Sequence, residues 1–196
     1  DEVFGDDNFC SDITVAKTAS ASSELLAGIA DHILWFCKTR DQVKYRQLFF
    51  QKLVGGQGGG QYSRVQESDG RRRTLTRSEV TAPETISPDQ RVFRIDNMTS
   101  QRPPGDFPVA INGRSIRPAK GYWKTGEPGM LRLMKAARLE LVGNTLAYVR
   151  FIHDFRVFPT NNVWNDTGAS GFGDDKIYVV QTISKIVERC LLMTTD

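Results

Sequence analysis

The spacing of apolar residues switches repeatedly between the two-residue period of a strand and the 3.6-residue period of a helix. Near the start, Ile13 and Val15 alternate with polar neighbours and predict a strand. A polar loop at 20–23 follows, where Ser22 or Ser23 can cap a short helix through Ala30. Residues 32–38 are a short apolar run, the pattern of a strand buried on both faces. The glycine cluster at 55–60 brings no side chains to a core and predicts a hinge or mobile loop. Residues 63–90, polar and proline-bounded, predict mostly loop. Order resumes with an alternating strand at 91–96, with Phe93 and Ile95 on one face. Segments at 107–111 and 115–117 flank Asn112-Gly113, a pair suited to the positive φ angles of a tight hairpin. Met130, Leu133, Met134, Ala137 and Leu141 then mark an amphipathic helix, with Pro128 in its first turn and Gly143 as its stop. A strand at 146–151 follows. The last element is a helix striped by Ile183, Ile186, Val187, Cys190 and Leu191, with Thr182 as its cap.

Charge adds an asymmetry to this α+β pattern. Residues 41–124 hold 15 Lys and Arg against 8 Asp and Glu, and 11 of the 15 are Arg. Residues 1–40 hold 3 against 7, and residues 161–196 hold 3 against 5. A guanidinium is a planar fork of donors suited to phosphates and guanine edges, so an arginine-rich centre points toward nucleic acid. A solvated face of mixed charge is the plain alternative.

Other chemistry is thin. Cys10, Cys37 and Cys190 are odd in number and far apart, which argues against a disulfide framework or cysteine-rich zinc site and for a reducing compartment. Cys37 and Cys190 read as buried small hydrophobes. His32 and His153 stand alone and read as structural, and Asp6-Asp7 and Asp174-Asp175 as turn residues rather than a carboxylate dyad. The glycine cluster lacks the Gly-Lys-Ser/Thr ending of a phosphate loop. No apolar run approaches the roughly 20 residues a membrane span needs. The chain starts at Asp1 and stops directly after an apolar helical pattern, so it is expected to be a segment of a longer protein.

Several segments, in order, resemble the middle of the beta-class adenine-specific DNA methyltransferases, in particular the modification subunits of type III-like restriction-modification systems. Residues 1–9, DEVFGDDNF, are similar to the family's E-x-F-G-x-x-N-F segment. Residues 32–38, HILWFCK, resemble the strand of its motif VIII. Gly121-Tyr122-Trp123, the helix after it and Gly143-Asn144 resemble the recognition-domain pattern, and Val163-Trp164-Asn165-Asp166 the element that closes that domain. Residues 177–182, IYVVQT, with the helix after them resemble motif X, although Gln181-Thr182 runs into Ile-Ser-Lys where the family usually has Gln-Lys-Pro. The family's Asp-Pro-Pro-Tyr loop and its glycine-rich S-adenosylmethionine loop are both missing from this chain.

The resemblance implies an α+β fold in which a mixed recognition lobe is inserted between two pieces of an α/β methyltransferase core. Residues 1–40 would be core, 41–162 the target recognition domain, and 163–196 the return to the core. The implied function is DNA sequence recognition within an S-adenosylmethionine-dependent adenine-N6 methyltransferase of a prokaryotic cytoplasm. This chain alone would be inactive, with no catalytic residue and no metal site. Its partners would be double-stranded DNA and the missing parts of the parent enzyme, with a restriction subunit as a further candidate and no membrane. A target base must leave the helical stack to be methylated, and contacts elsewhere on the DNA offset the cost. The candidate DNA contacts are Arg71, Arg72 and Arg73 on a mobile loop, Gln101 and Arg102 in a proline-bounded turn, and Lys120, Tyr122 and Lys124 alternating around an inward Trp123. The resemblance alone puts Lys38 near the target base and Tyr178, Gln181 and Thr182 near the cofactor. A non-catalytic DNA- or RNA-binding module is the alternative reading.

Overall fold

The computed structural model describes residues 3–18, 21–103, 105–168 and 182–195. The chain is a mixed α+β protein, with mostly strands and three α-helices among the described residues, and it divides into two compact units. Unit 1 comprises Asp1–Phe50 and Pro159–Asp196, and unit 2 comprises Gln51–Phe158.

Unit 1 is built on β1 (Phe9–Ala16) and β2 (Ala30–Phe36), an antiparallel pair with a bulge between Phe9 and Ser11. β16 (Val163–Trp164) adds to β1 in parallel. The final helix, α3 (Ser184–Thr194), packs on this sheet and closes a core of Ile13, Val15, Trp164 and Met193 with Ile186 and Cys190. Three sequence expectations change here. Residues 21–29 form no helix, because Leu25 and Leu26 are exposed with nothing to pack on, and a single short turn does not hold alone. β2 is not buried on both faces: it pairs only with β1 among the described residues, and Leu34 is 63% exposed. The final helix buries a narrow stripe, Ile186, Cys190 and Met193, while Val187 and Leu191 face outward; Ile183 stands at the cap position with no side-chain bond, and Thr182 lies outside the helix.

The chain crosses between the units through β3 (Phe49–Gln51) and β15 (Val157–Pro159). In unit 2, β4 (Leu53–Val54) pairs with β5 (Gly58–Gly59) in parallel. The glycines there are not slack. A side chain on Gly59 would meet the Leu53 carbonyl oxygen at 2.0 Å, and one on Gly58 the Phe158 ring at 2.2 Å. The cluster is close-packed backbone, which periodicity cannot reveal in residues without side chains.

An antiparallel five-stranded sheet organises the rest, in the order β13-β14-β8-β6-β7. Its strands are β6 (Arg64–Gln66), β7 (Arg72–Thr74), β8 (Arg91–Asn97), β13 (Leu139–Val142) and β14 (Thr145–Phe151). Residues 63–90 are turns and coil around a short hairpin and α1 (Arg77–Thr81), which Thr76 and Glu79 hold in a capping box. One sheet face carries Phe93, Ile95, Val149 and Phe151. Beside the sheet, a second core gathers Met98, Val109, Ile116, Trp123, Met130, Leu139 and Leu146. It draws on α2 (Glu127–Lys135), on the hairpin of β10 (Val109–Ile111) with β11 (Arg114–Ile116), and on β9 (Thr99–Ser100) paired with β12 (Tyr122–Trp123). The Asn112-Gly113 turn has the expected positive φ at both residues, 50° and 72°. Pro128 stands in the first turn of α2 as expected, but the helix stops at Lys135. Ala137 turns left-handed at φ 52° and Arg138 N–H closes onto Leu133 O, so Leu141 is a strand residue and Gly143 serves the β13–β14 turn.

Candidate nucleic-acid interface

Six arginines of unit 2 are committed to its own carboxylates. Glu140 on β13 takes Arg64 at 2.6 Å and Arg72 at 3.4 Å, from positions 76 and 68 residues away. Arg72 also donates to Gln66 Oε1 and to the carbonyls of Ala137 and Leu139. Arg73 bonds Glu67 at 2.5 Å and both oxygens of Glu79 at 2.7 and 2.8 Å. Arg94 and Arg150 meet on Asp96, and Arg138 grips both oxygens of Asp154. The guanidinium groups of Arg91 and Arg138 also lie over the Phe151 ring, at 3.8 and 4.6 Å, so they roof the aromatic face of the sheet.

The titration shifts follow from these pairings. Arg73 and then Thr76 lower the Glu79 carboxyl to about 2, and Arg73 rises above its ordinary range. Gln90 and then Arg73 hold Glu67 low. Burial works against charge on Asp154, yet the Arg138 bond still keeps its pKa below the usual carboxylate value.

The run Arg71-Arg72-Arg73 therefore divides. It lies on a hairpin, not a mobile loop, because Glu67, Glu79 and Glu140 converge on it once β6 and β7 pair. Only Arg71 projects, 82% exposed at its side chain and paired with nearby Asp69.

Gln101, Arg102 and Lys120 come to one end of a short ladder, and Lys124 lies at the other, its N–H on Met98 O at 2.8 Å. Tyr122 opposes Ser100 and Trp123 opposes Thr99, antiparallel, so the chain leaving at Gln101 lies beside the chain arriving from Lys120. Gly121, at φ 71°, makes this approach possible: a side chain there would stand 2.2 Å from Ser100 O and 3.5 Å from the Gln101 Cα. Ser100 Oγ accepts the Arg102 N–H at 3.1 Å and tightens the turn. Beneath, Trp123 is fully buried and donates its indole N–H to Phe107 O at 2.9 Å. Gly105 takes a bridge to Trp123, and a side chain there would collide with the Trp123 Cβ at 2.6 Å. Tyr122 is half-buried, and Lys120 and Lys124 are exposed on either side of it. Among the described residues, the side chains of Arg102, Lys120 and Lys124 have no ion-pair partner, and neither has Arg114, an exposed β11 residue that sequence reasoning missed. An amide, a guanidinium and an ammonium thus stand together with their donors unused, a set that can bond base edges and phosphates.

Unit 1 holds a separate cleft of about 370 Å3, walled by Cys10, Trp35, Arg40, Tyr45, Thr160 and Asn161 among others. The Trp35 and Tyr45 rings lie 5.8 Å apart, and Thr160 Oγ1 is buried without a hydrogen-bond partner among the described residues. No sequence pattern links these residues, which are separated by up to 151 positions and meet where β16 joins β1. Lys38 is exposed just after β2, at the buried Cys37. Below the sheet, Asp166 of the 163–166 element receives both guanidinium nitrogens of buried Arg189, and Lys185 at 2.7 Å. The Arg189 bond, first among the causes, drives the Asp166 carboxyl well below its usual range. Of the cofactor residues, Tyr178 and Gln181 lie outside the described residues, as does the 174–175 pair. Thr182 is exposed coil just before α3. Among the described residues no three His, Cys, Asp or Glu gather as a metal site, and no helix is long and apolar enough to cross a membrane. His32 bonds Asp12 at 2.9 Å and His153 stands exposed, its pKa lowered by burial first and then by Arg156 and Arg91.

Compared with models of known protein families and with curated protein sequences, the chain matches none.

Proposed function

We propose that unit 2 reads the sequence of double-stranded DNA on behalf of an adenine-N6 methyltransferase that uses S-adenosylmethionine, within a restriction-modification system. Unit 1 is then part of that enzyme's α/β core. The observation that carries the reading is the meeting of Gln101, Arg102 and Lys120 at one end of the β9–β12 ladder, held there by Gly121 and backed by buried Trp123. Gln and Arg are the side chains whose paired bonds distinguish adenine and guanine in the major groove.

Unit 1 supports the second half of the reading. Leu34 on its edge strand and Val187, Leu191 and Leu192 on its helix are apolar and exposed, surface that a larger core would cover. The motif order along the sequence adds the family, and with it the parent's methyl-transfer chemistry. The proposed role of this chain is recognition.

The test measures binding of the chain to a library of duplexes by fluorescence anisotropy and sequencing of the bound fraction. A preferred short site is expected. Gln101→Ala or Arg102→Ala should relax the preference at one position each, by about 1–3 kcal/mol. Equal binding of all duplexes by the parent chain would overturn the reading, and preference for single-stranded RNA would favour the non-catalytic module.

A further inference from the structure

Two of the three cysteines, 27 positions apart in sequence, share one hydrogen-bond acceptor. The Cys37 thiol donates to the Asn8 carbonyl at 3.3 Å and the Cys10 thiol to the same oxygen at 3.8 Å, so the two sulfurs stand no more than about 7 Å apart. The β1–β2 bulge between Phe9 and Ser11 creates the meeting. It takes Cys10 out of the strand register, while Cys37 stays anchored by its N–H to Asn8 O at 3.0 Å. Their surroundings differ. Cys10 is partly exposed and walls the unit 1 cleft, whereas Cys37 is buried. Burial first, and the adjoining Cys10 thiol next, push the Cys37 thiol above its ordinary pKa. Cys190 belongs to the α3 packing face and takes no part.

We propose that Cys10 and Cys37 are a thiol–disulfide exchange pair, with Cys10 the attacking thiol and Cys37 the resolving one, that takes a low-molecular-weight disulfide as oxidant. In the first step the Cys10 thiolate attacks one sulfur of the disulfide. A mixed disulfide forms on Cys10, and one thiolate leaves and takes up the proton Cys10 gave. In the second step Cys37 Sγ attacks Cys10 Sγ, the second thiolate leaves with the Cys37 proton, and the internal disulfide remains. The oxidant has gained two electrons and two protons, and the protein has lost them. The exposed member meets the oxidant, and the buried member is held beside it, which favours closure over a lasting mixed disulfide. The bond would cross-link β1 to the end of β2 and alter the Cys10 wall of the cleft.

The test equilibrates the whole chain with oxidised and reduced glutathione, quenches with acid and alkylates the remaining thiols. Two of three thiols should be lost, and tryptic digestion should yield linked peptides ending at Lys17 and Lys38. Cys190→Ser should form the same link. Cys10→Ser should form none, and Cys37→Ala should instead accumulate the glutathione adduct on Cys10. A glutathione adduct that persists on Cys10 in the parent chain would overturn the proposal. So would a link through Cys190, or three free thiols under conditions where the urea-unfolded chain oxidises.

Discussion

Two regions of unit 2 are rich in basic side chains, and they use them in opposite ways. On the five-stranded sheet, Arg64, Arg72, Arg73, Arg94, Arg138 and Arg150 each face a carboxylate, and several also cover aromatic rings. Around the β9–β12 ladder, Arg102 and Lys120 at one end and Lys124 at the other face none among the described residues. Net charge is the same kind of quantity in both places, but availability is not. A guanidinium held by two carboxylates must break those bonds before it can bind a phosphate, whereas an unpaired one gives up only water. The more conspicuous run in the sequence, three consecutive arginines, is thus the less available one.

The sharpest way to break this comparison is to remove a committed arginine. Arg189 extends the committed class to unit 1: its side chain is 7% exposed and lies against the Trp164 and Phe50 rings as well as Asp166. Arg189→Ala should lower stability by about 2–3 kcal/mol in urea denaturation, less than a fully buried pair because Asp166 is partly solvated. A loss below about 1 kcal/mol would place it with ordinary surface pairs.

Binding separates the two classes next. Replacing Arg102, Lys120 and Lys124 together by Ala should flatten the log–log salt dependence of DNA affinity by about 2–3 units and leave the urea midpoint unchanged. Arg72→Ala with Arg73→Ala should do the reverse, lowering the midpoint with little effect on the slope. If the second variant flattens the slope as much as the first, the division is wrong.

Acid provides a milder probe of the committed side. Glu79 in the fold titrates near 2, below its ordinary 4.5, so its bonds contribute fully above about pH 4.5 and are lost as the pH falls toward 2. The thermal midpoint should fall through that window in the parent, and fall less steeply in Arg73→Ala. The smallest effect belongs to Arg71, whose ion-pair partner among the described residues is exposed Asp69. Arg71→Ala should leave the urea midpoint in place and change the salt slope by about 1 unit or not at all.

Much of the local structure was legible. The Asn112-Gly113 hairpin, the 91–96 and 146–151 strands and the start of α2 at Pro128 follow from turn chemistry and side-chain period, which act within a few residues. The inward Trp123 between outward Lys120 and Lys124 was legible for the same reason. Misreadings arose where a distant partner decides. Arg72 reads as a DNA contact on a mobile loop until Glu140, 68 positions on, pairs with it, and Gly58 looks slack until the Phe158 ring closes on it.

By itself, the sequence determined the α+β class, the longer strands β1, β2, β8 and β14, the β10–β11 hairpin, the places of α2 and α3, and the basic character of the centre, because each depends on short-range period and composition. Only the tertiary structure decided which basic groups are available, that Gln101 and Lys120 share one ladder end, and that Cys10 and Cys37 share one carbonyl. Those outcomes depend on pairing register and on which carboxylates or carbonyls a strand brings alongside, and residues 20 to 80 positions apart carry no local signal of the distance that will separate them in the fold.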